Sequence, residues 1–433
     1  MSFASLALSP ALLNALSAHG LETPTPIQRD AIPPMLAGRD VLACAQTGSG
    51  KTVAYALPLL QQWLGGQRSS PRRLQSLVLV PTRELADQVG ETIEGLAEGW
   101  LPSVKVAVVY GGVSINPQMM NLRGGADIVV ATPGRLLDLI DHNALRLATV
   151  QTLVLDEADR LLDLGFADEL QRILALLPAR RQNLLCSATF PPAVDEIAAR
   201  ILLKPVRVEV PTEPETRPDI TQRAIVVDAE RRTMLLKHLI ETQHPDDRVL
   251  VFAATKYATE LVAHKLARAG LKAAAFHGEL SQGTRRATLA AFKASELQVV
   301  IATDVAARGI DIARLPVVVN YDLPRAPADH VHRIGRTGRA GESGTAYSFI
   351  TPDMEGHFRL IEKRQGLRVP RERIEGFEPQ GADSEGGHHP DDLEAGATAE
   401  EQQGVHVPGT GGIKGKRKSK KDKLREAAAR SGS

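Results

Sequence analysis

The chain has 433 residues, 43% hydrophobic and 24% charged, a balance that reads as a soluble globular protein of more than one domain. Its formal net charge of +1 removes the overall basic halo that marks many nucleic-acid binders, so charge alone names no partner. Apolar runs such as "SLVLV" and "PVVVN" are too short to span a bilayer, and the opening "MSFASLALSP" lacks a basic n-region and a cleavage site, so a cytosolic protein without a signal peptide is expected.

In chain order, "DVLACAQTG", "SLVLVPTRE", "KVAVVYGG", "DIVVATPG", "TLVLDEAD" and "NLLCSATF" are short runs rich in Val, Ile and Leu, each followed by Gly, Pro or polar residues and then a helical pattern. Runs that are continuously apolar rather than alternating predict strands buried on both faces of a parallel sheet, hence a doubly wound α/β domain over residues 1–208. Cys44 and Cys186 lie beside two of these runs and read as buried small hydrophobes, with no disulfide framework or zinc site. The Pro- and Glu-rich stretch that follows predicts a linker over 209–220. The rhythm then returns in "RVLVFAATK", "KAAAFHGE", "QVVIATDVAARG", "PVVVNYDLP" and "TAYSFITP", a second α/β domain over 221–370. From 371 to 433 the composition turns acidic and then basic with almost nothing apolar, which predicts a disordered tail.

Ligands of open parallel sheets gather at the carboxyl ends of the strands, and the polar signals sit there. In "AQTGSGKT", residues 45–52, Gly48 and Gly50 let backbone N–H groups approach phosphate, Lys51 can reach the outer phosphates, and the Thr52 hydroxyl can ligate Mg²⁺. The general pattern begins with Gly, where this chain has Ala45. Asp156 ends "TLVLD", where a carboxylate can hold the ion directly or through water, and Glu157 is then placed to orient an attacking water. A helix N-cap is a second reading of Asp156, compatible with the first.

The run "DEAD", together with "AQTGSGKT", "PTRELA", "GG" at 111–112, "TPGR", "SAT", "TDVAARGID" and "HRIGRTGR", resembles the DEAD-box ATP-dependent RNA helicases over about residues 1–365. The opening decapeptide and short linker resemble the bacterial RhlE-like subgroup. The resemblance implies two tandem RecA-like domains of the P-loop NTPase class, helicase superfamily two, that close on ATP, Mg²⁺ and single-stranded RNA. It implies that ATP is held by Ala45, Gln46, Thr47, Gly48, Ser49, Gly50, Lys51, Thr52 and Asp311, with Gln28 on the adenine and Phe3 stacked upon it. Taken alone, Phe3 reads as a core side chain. Catalysis is implied for Lys51, Glu157, Arg336 and Arg339, the last two as arginine fingers on the γ-phosphate.

The RNA track is implied to pass Arg83, Gly112, Thr132, Arg135, Gln282, Arg285 and Thr303, whose amides, hydroxyls and guanidiniums suit phosphate and 2′-OH contact rather than base reading. Ser187, Thr189 and His332 are implied to couple the two sites, although "SAT" alone also reads as a strand-end turn. Ribosomal or RNA-decay partners and a monomeric core in the cytoplasm complete the expectation, with no membrane contact.

Overall fold

The computed structural model describes residues 2–45, 48–66, 69–98, 104–210, 220–307, 315–338 and 343–379. Residues 2–379 form one compact unit built on two sheets. The first contains β1 (Val41–Cys44), β2 (Ser76–Leu79), β3 (Val106–Val109), β4 (Ile128–Ala131), β5 (Thr152–Leu155), β6 (Gln182–Ser187) and β7 (Val206–Glu209). The second contains β8 (Ile220–Val226), β9 (Val249–Phe252), β10 (Ala273–Phe276), β11 (Val299–Ala302), β12 (Val317–Asn320), β13 (Gly344–Ile350) and β14 (Arg371–Glu372).

Both sheets are parallel and share one strand order, β3-β4-β2-β5-β6-β1-β7 in the first and β10-β11-β9-β12-β13-β8-β14 in the second. Register is tight across the centre, with Cys44 beside Ser187 on β1 and β6, and Leu155 beside Leu185 on β5 and β6.

Continuous apolar runs form these strands because both faces are covered. On β4, Ile128 and Val130 enter one core with the helices Pro26–Leu36, Lys51–Gly65 and Arg83–Ala97. Val129 and Ala131 enter the opposite core with the helices Pro133–Asp141 and Ala167–Leu176. The second sheet repeats the arrangement, Val299 and Ile301 facing one core and Val300 and Ala302 the other. Each Val, Leu or Ile so buried contributes about 1.5–3 kcal/mol of transfer free energy, so the central strands anchor the loops that follow them.

The strands absent from the expectation are β7, β8 and β14. β8 reads Ile-Thr-Gln-Arg-Ala-Ile-Val, with three polar residues in succession and mixed burial that break the apolar rhythm, and it starts at Ile220, inside the stretch read as linker. Beyond residue 370 the described chain continues as β14, which pairs Arg371 with Ala224 and Glu372 with Ile225. Phe377 then packs against His238, ring centroids 5.3 Å apart, with Arg231 over its face. The linker residues 211–219 and the tail from 380 lie outside the described residues. Among the described residues no helix is long and apolar enough to cross a membrane.

Candidate active site and nucleic-acid interface

Six sequence motifs fall at the carboxyl ends of the six strands β1–β6, so the topology alone brings them to one edge of the first domain. After β1 the chain makes two left-handed turns, Gly48 at φ +83° and Gly50 at φ +92°, and enters helix Lys51–Gly65. Gly50 is required twice, for its φ and because an added Cβ would lie 2.4 Å from Gln28 Nε2. Gln28 itself donates from Nε2 to the Gly50 carbonyl at 3.1 Å and accepts the Thr25 N–H at 2.9 Å. The expected adenine reader is thereby hinged on the phosphate loop. Phe3, expected to stack on the base, is 3% exposed and packed in the core cluster beside Leu6 and Leu8.

Lys51 is buried and donates from Nζ to the Ala45 carbonyl, across the loop it closes. Ser49 Oγ is buried without a hydrogen-bond partner, an unmet polar atom in the cradle where phosphate oxygens are expected. Gln46 and Thr47 lie outside the described residues.

Asp156, 3% exposed, follows β5. Burial pushes its carboxyl above the usual range, while the Lys51 charge and the Tyr55 hydroxyl pull it back. Tyr55, fully buried, donates to Asp156 Oδ2 at 2.9 Å and is also hydrogen-bonded with Thr52, so the two expected metal ligands share one phenol. A buried carboxylate beside a hydroxyl and a phosphate loop fits Mg²⁺, which takes few protein ligands and completes its shell with phosphate and water. Among the described residues no cluster of three or more His, Cys, Asp or Glu side chains offers an all-protein metal cage.

Glu157 is held at φ 49°, ψ 53°, left-handed backbone for a residue with a Cβ, at a cost of about 1–3 kcal/mol. Its N–H donates to Asp156 Oδ1 at 2.9 Å. Burial first, and the Asp156 charge second, raise its carboxyl, with Arg336 of the second domain the foremost group opposing them. Arg336 lines a small cavity with Arg160, Phe252, Asp304, Asp329, His332 and Arg333. Burial and Arg160 hold the His332 imidazole below its ordinary range, with Asp329 and Asp159 opposing. Arg333 instead braces the second domain internally, forking onto Asp304 at 2.6 and 2.7 Å and donating to the Asp322 carbonyl at 2.6 Å. Arg339 and Asp311 lie outside the described residues.

The third acid of the run, Asp159, was not singled out by sequence, yet its Oδ2 accepts both the N–H and the hydroxyl of Thr189, at 3.1 and 2.7 Å. Ser187 Oγ donates to the Thr189 carbonyl at 2.6 Å. "DEAD" and "SAT" are thus one hydrogen-bonded unit.

On the expected RNA side, Arg83 packs so closely on Gly112 that a Cβ there would lie 1.9 Å from its Nη2. Arg135 is 7% exposed and donates from Nη2 to the Val113 carbonyl at 2.7 Å; its Nε faces Asp138 Oδ2 at 3.5 Å, and its Nη1 is buried without a hydrogen-bond partner. Unmet guanidinium donors in a protein interior are costly, and an anion relieves that cost. Thr132 and Thr303 each open a helix, their carbonyls accepting from Leu136 and Ala307. In the second domain Gln282 and Arg285 meet carboxylates of the first: Gln282 Nε2 lies 3.3 Å from Asp87 Oδ2, and Arg285 Nε donates to Glu84 Oε1 at 2.7 Å.

The DEAD/DEAH box helicase family model matches residues 25–197, and that of the helicase conserved C-terminal domain matches residues 230–341. The chain is 40% identical over 370 residues to the DEAD-box ATP-dependent RNA helicase CshA of Bacillus cereus, covering 86% of this chain and 69% of that protein. It is 43% identical over 362 residues to the ATP-dependent RNA helicase DeaD of Mycobacterium tuberculosis, covering 84% and 63%. Among solved structures it resembles S. cerevisiae Dbp5 bound to RNA and ADP BeF3, with TM-score 0.73 and 32% identity over 86% of this chain and 95% of that one. It also resembles Mss116p bound to ssRNA and AMP-PNP, with TM-score 0.76 and 28% identity over 88% and 80%.

Proposed function

Because this chain belongs to the DEAD-box family of ATP-dependent RNA helicases, we propose that it closes its two domains on ATP·Mg²⁺ and single-stranded RNA, separating short duplexes locally or remodelling RNA–protein complexes. It is an ATP-hydrolysing enzyme. The observation that carries the closing reading is geometric: His332, Arg333 and Arg336 of the second domain line one small cavity with Arg160 of the first, beside the DEAD run.

Ala45 to Thr52 hold the phosphates, Lys51 supplying a positive charge and the Gly48 and Gly50 turns exposing N–H groups. Gln28 reads the adenine and Asp311 contacts ATP from the second domain. Thr52 and Asp156 hold Mg²⁺, which when bound neutralises charge on the phosphate oxygens. Glu157 accepts a proton from, and orients, the attacking water. Arg336 and Arg339 stabilise the charge that develops on the transferred phosphoryl group. Arg83, Gly112, Thr132, Arg135, Gln282, Arg285 and Thr303 hold the RNA backbone, and Ser187, Thr189 and His332 couple the two sites. The unmet Nη1 of Arg135 supports that reading.

We place the chain in the bacterial RhlE-like subgroup on its opening decapeptide and short linker, as a cytoplasmic monomer working on ribosomal or RNA-decay complexes. We assign the first domain to 1–210 and the second to 220–379, since β7 runs to Glu209, β8 begins at Ile220 and β14 at 371–372 pairs with β8, leaving a linker at 211–219 and a tail from 380. An ATP-gated RNA clamp with little unwinding is the second reading, favoured by the interdomain ion pairs. Strand displacement of a short duplex, set against the lifetime of the RNA complex with a non-hydrolysable ATP analogue, tests one against the other. Fast displacement supports unwinding, whereas a long-lived complex without displacement supports the clamp.

A further inference from the structure

Helix Arg83–Ala97 of the first domain carries Glu84 and Asp87 one turn apart, and helix Gln282–Lys293 of the second carries Gln282, Arg285 and Arg286 opposite them. Arg285 is oriented by its own domain, donating from Nη1 to the His277 carbonyl at 2.8 Å and lying over the Phe276 ring. Arg286 differs. Every hydrogen bond described for it crosses to the first domain: Nε to Asp87 Oδ2 at 2.9 Å, Nη2 to Asp87 Oδ1, and Nη2 to the Tyr110 hydroxyl at 3.0 Å.

Asp87 is 11% exposed and Arg286 59%, so the carboxylate is fixed while the guanidinium comes to it. Glu91, one turn beyond Asp87, adds a second negative charge facing the same guanidinium. Burial first, and Asp87 second, push the Tyr110 hydroxyl up to about 12, so it remains a neutral partner at any working pH.

A fork held by both oxygens of a carboxylate specifies direction as well as distance. Asp87 follows β2 and Tyr110 follows β3, so the two anchors sit on different elements and resist rotation. We propose that Arg286 is a positioning residue for ATP hydrolysis: held by Asp87 and Tyr110, it fixes the register in which the second domain closes, and thereby the approach of Arg336 to Glu157. This rests on the reading that closure completes the active site, where a misplacement of about 1 Å costs on the order of a hundredfold in rate.

The test uses the full chain, with interdomain fluorescence transfer measured beside RNA-stimulated ATPase. Arg286→Asp and Asp87→Arg, each alone, are expected to lower the closed fraction with a non-hydrolysable ATP analogue and single-stranded RNA. Each is also expected to raise the RNA concentration for half-maximal ATPase about tenfold, the scale of a lost close charge pair across an interface. The double variant Asp87→Arg with Arg286→Asp restores the pair in reverse and is expected within about threefold of the parent, a rescue that simple loss of folding would not give. A double variant as impaired as the worse single, or single variants that close normally, overturns the proposal. Normal single-turnover hydrolysis by Arg336→Lys would overturn the arginine-finger reading instead, leaving the rescued closure as evidence for the clasp.

Discussion

Thr189 hangs from Asp159 by two hydrogen bonds to a single carboxylate oxygen, from its N–H at 3.1 Å and its hydroxyl at 2.7 Å. The turn after β6 therefore cannot shift without the helix after β5. Thr189→Val keeps the shape and deletes one donor. Unwinding of a short duplex is expected to fall about tenfold while ATP turnover changes less than about threefold, because a hydrogen bond to a charged group contributes about 1.5–3 kcal/mol. Unwinding and turnover measured on one preparation decide it, and equal losses in both would remove Thr189 from the coupling path.

Glu157→Gln preserves size and hydrogen bonding but cannot accept a proton. It is expected to bind ATP and RNA normally and to lose about 10²–10⁴-fold in turnover, the range of a general base. Multiple-turnover ATPase near the parent rate would sink the assignment.

Arg336→Lys keeps the charge but loses the planar fork. Single-turnover hydrolysis is expected to slow by on the order of tenfold to a thousandfold, with ATP affinity nearly unchanged.

His330 gives the second domain a pH limit. It is 1% exposed, lies 3.1 Å from Ser348 Oγ and 2.7 Å from the Gln365 amide nitrogen, and burial together with Arg333 holds it near 4 instead of 6.5. In the unfolded chain it takes up a proton below about pH 6.5, whereas in the folded chain it stays neutral until about pH 4. Stability present above pH 6.5 is therefore lost as pH falls through that window, by about 2 kcal/mol between pH 7 and pH 5. Urea midpoints across this range test it: His330→Gln should be less stable at pH 7 and show a flatter decline.

The segment "KGKRKSKKDKLR", residues 414–425, holds eight basic residues and one acidic. Removing residues 381–433 is expected to weaken RNA binding and to flatten its dependence on log salt, since phosphate contacts set that slope. Turnover at saturating RNA should change little. The cut is placed after residue 380 because β14 and Phe377 belong to the second domain. Identical affinities and slopes would show that this segment does not touch RNA.

Eleven of the strands were legible because burial on both faces leaves a run with no polar break, as in "TLVL" and "VVIA". β7, β8 and β14 lie toward one edge of each sheet, where solvent permits Arg, Glu, Thr and Gln, and there the apolar signal fails. The phosphate loop and "DEAD" were legible because Gly-Ser-Gly-Lys-Thr after one strand and adjacent acids after another together suit phosphate and its metal, although each alone also suits a turn or a helix cap. Tyr55 was not: in an apolar helix a phenol looks like packing, and only three-dimensional placement sets its hydroxyl between Thr52 and Asp156. Asp87 and Arg286 were equally silent, since each reads as an ordinary helix-surface charge until the other domain is beside it.

β14 lies outside β8, and β8 comes first in its domain. The second sheet therefore takes its edge strand from residues that a ribosome delivers after every other strand of that sheet. Until residues 371–372 emerge, the Ala224–Ile225 stretch of β8 that they pair with offers unpaired N–H and C=O groups to whatever strand is nearby, including one from a neighbouring nascent chain. The first domain can complete its sheet once Glu209 is made, with β7 already beside β1. Translation thus releases one finished half well before the other, and the interval between them is when this protein is most exposed to mispairing.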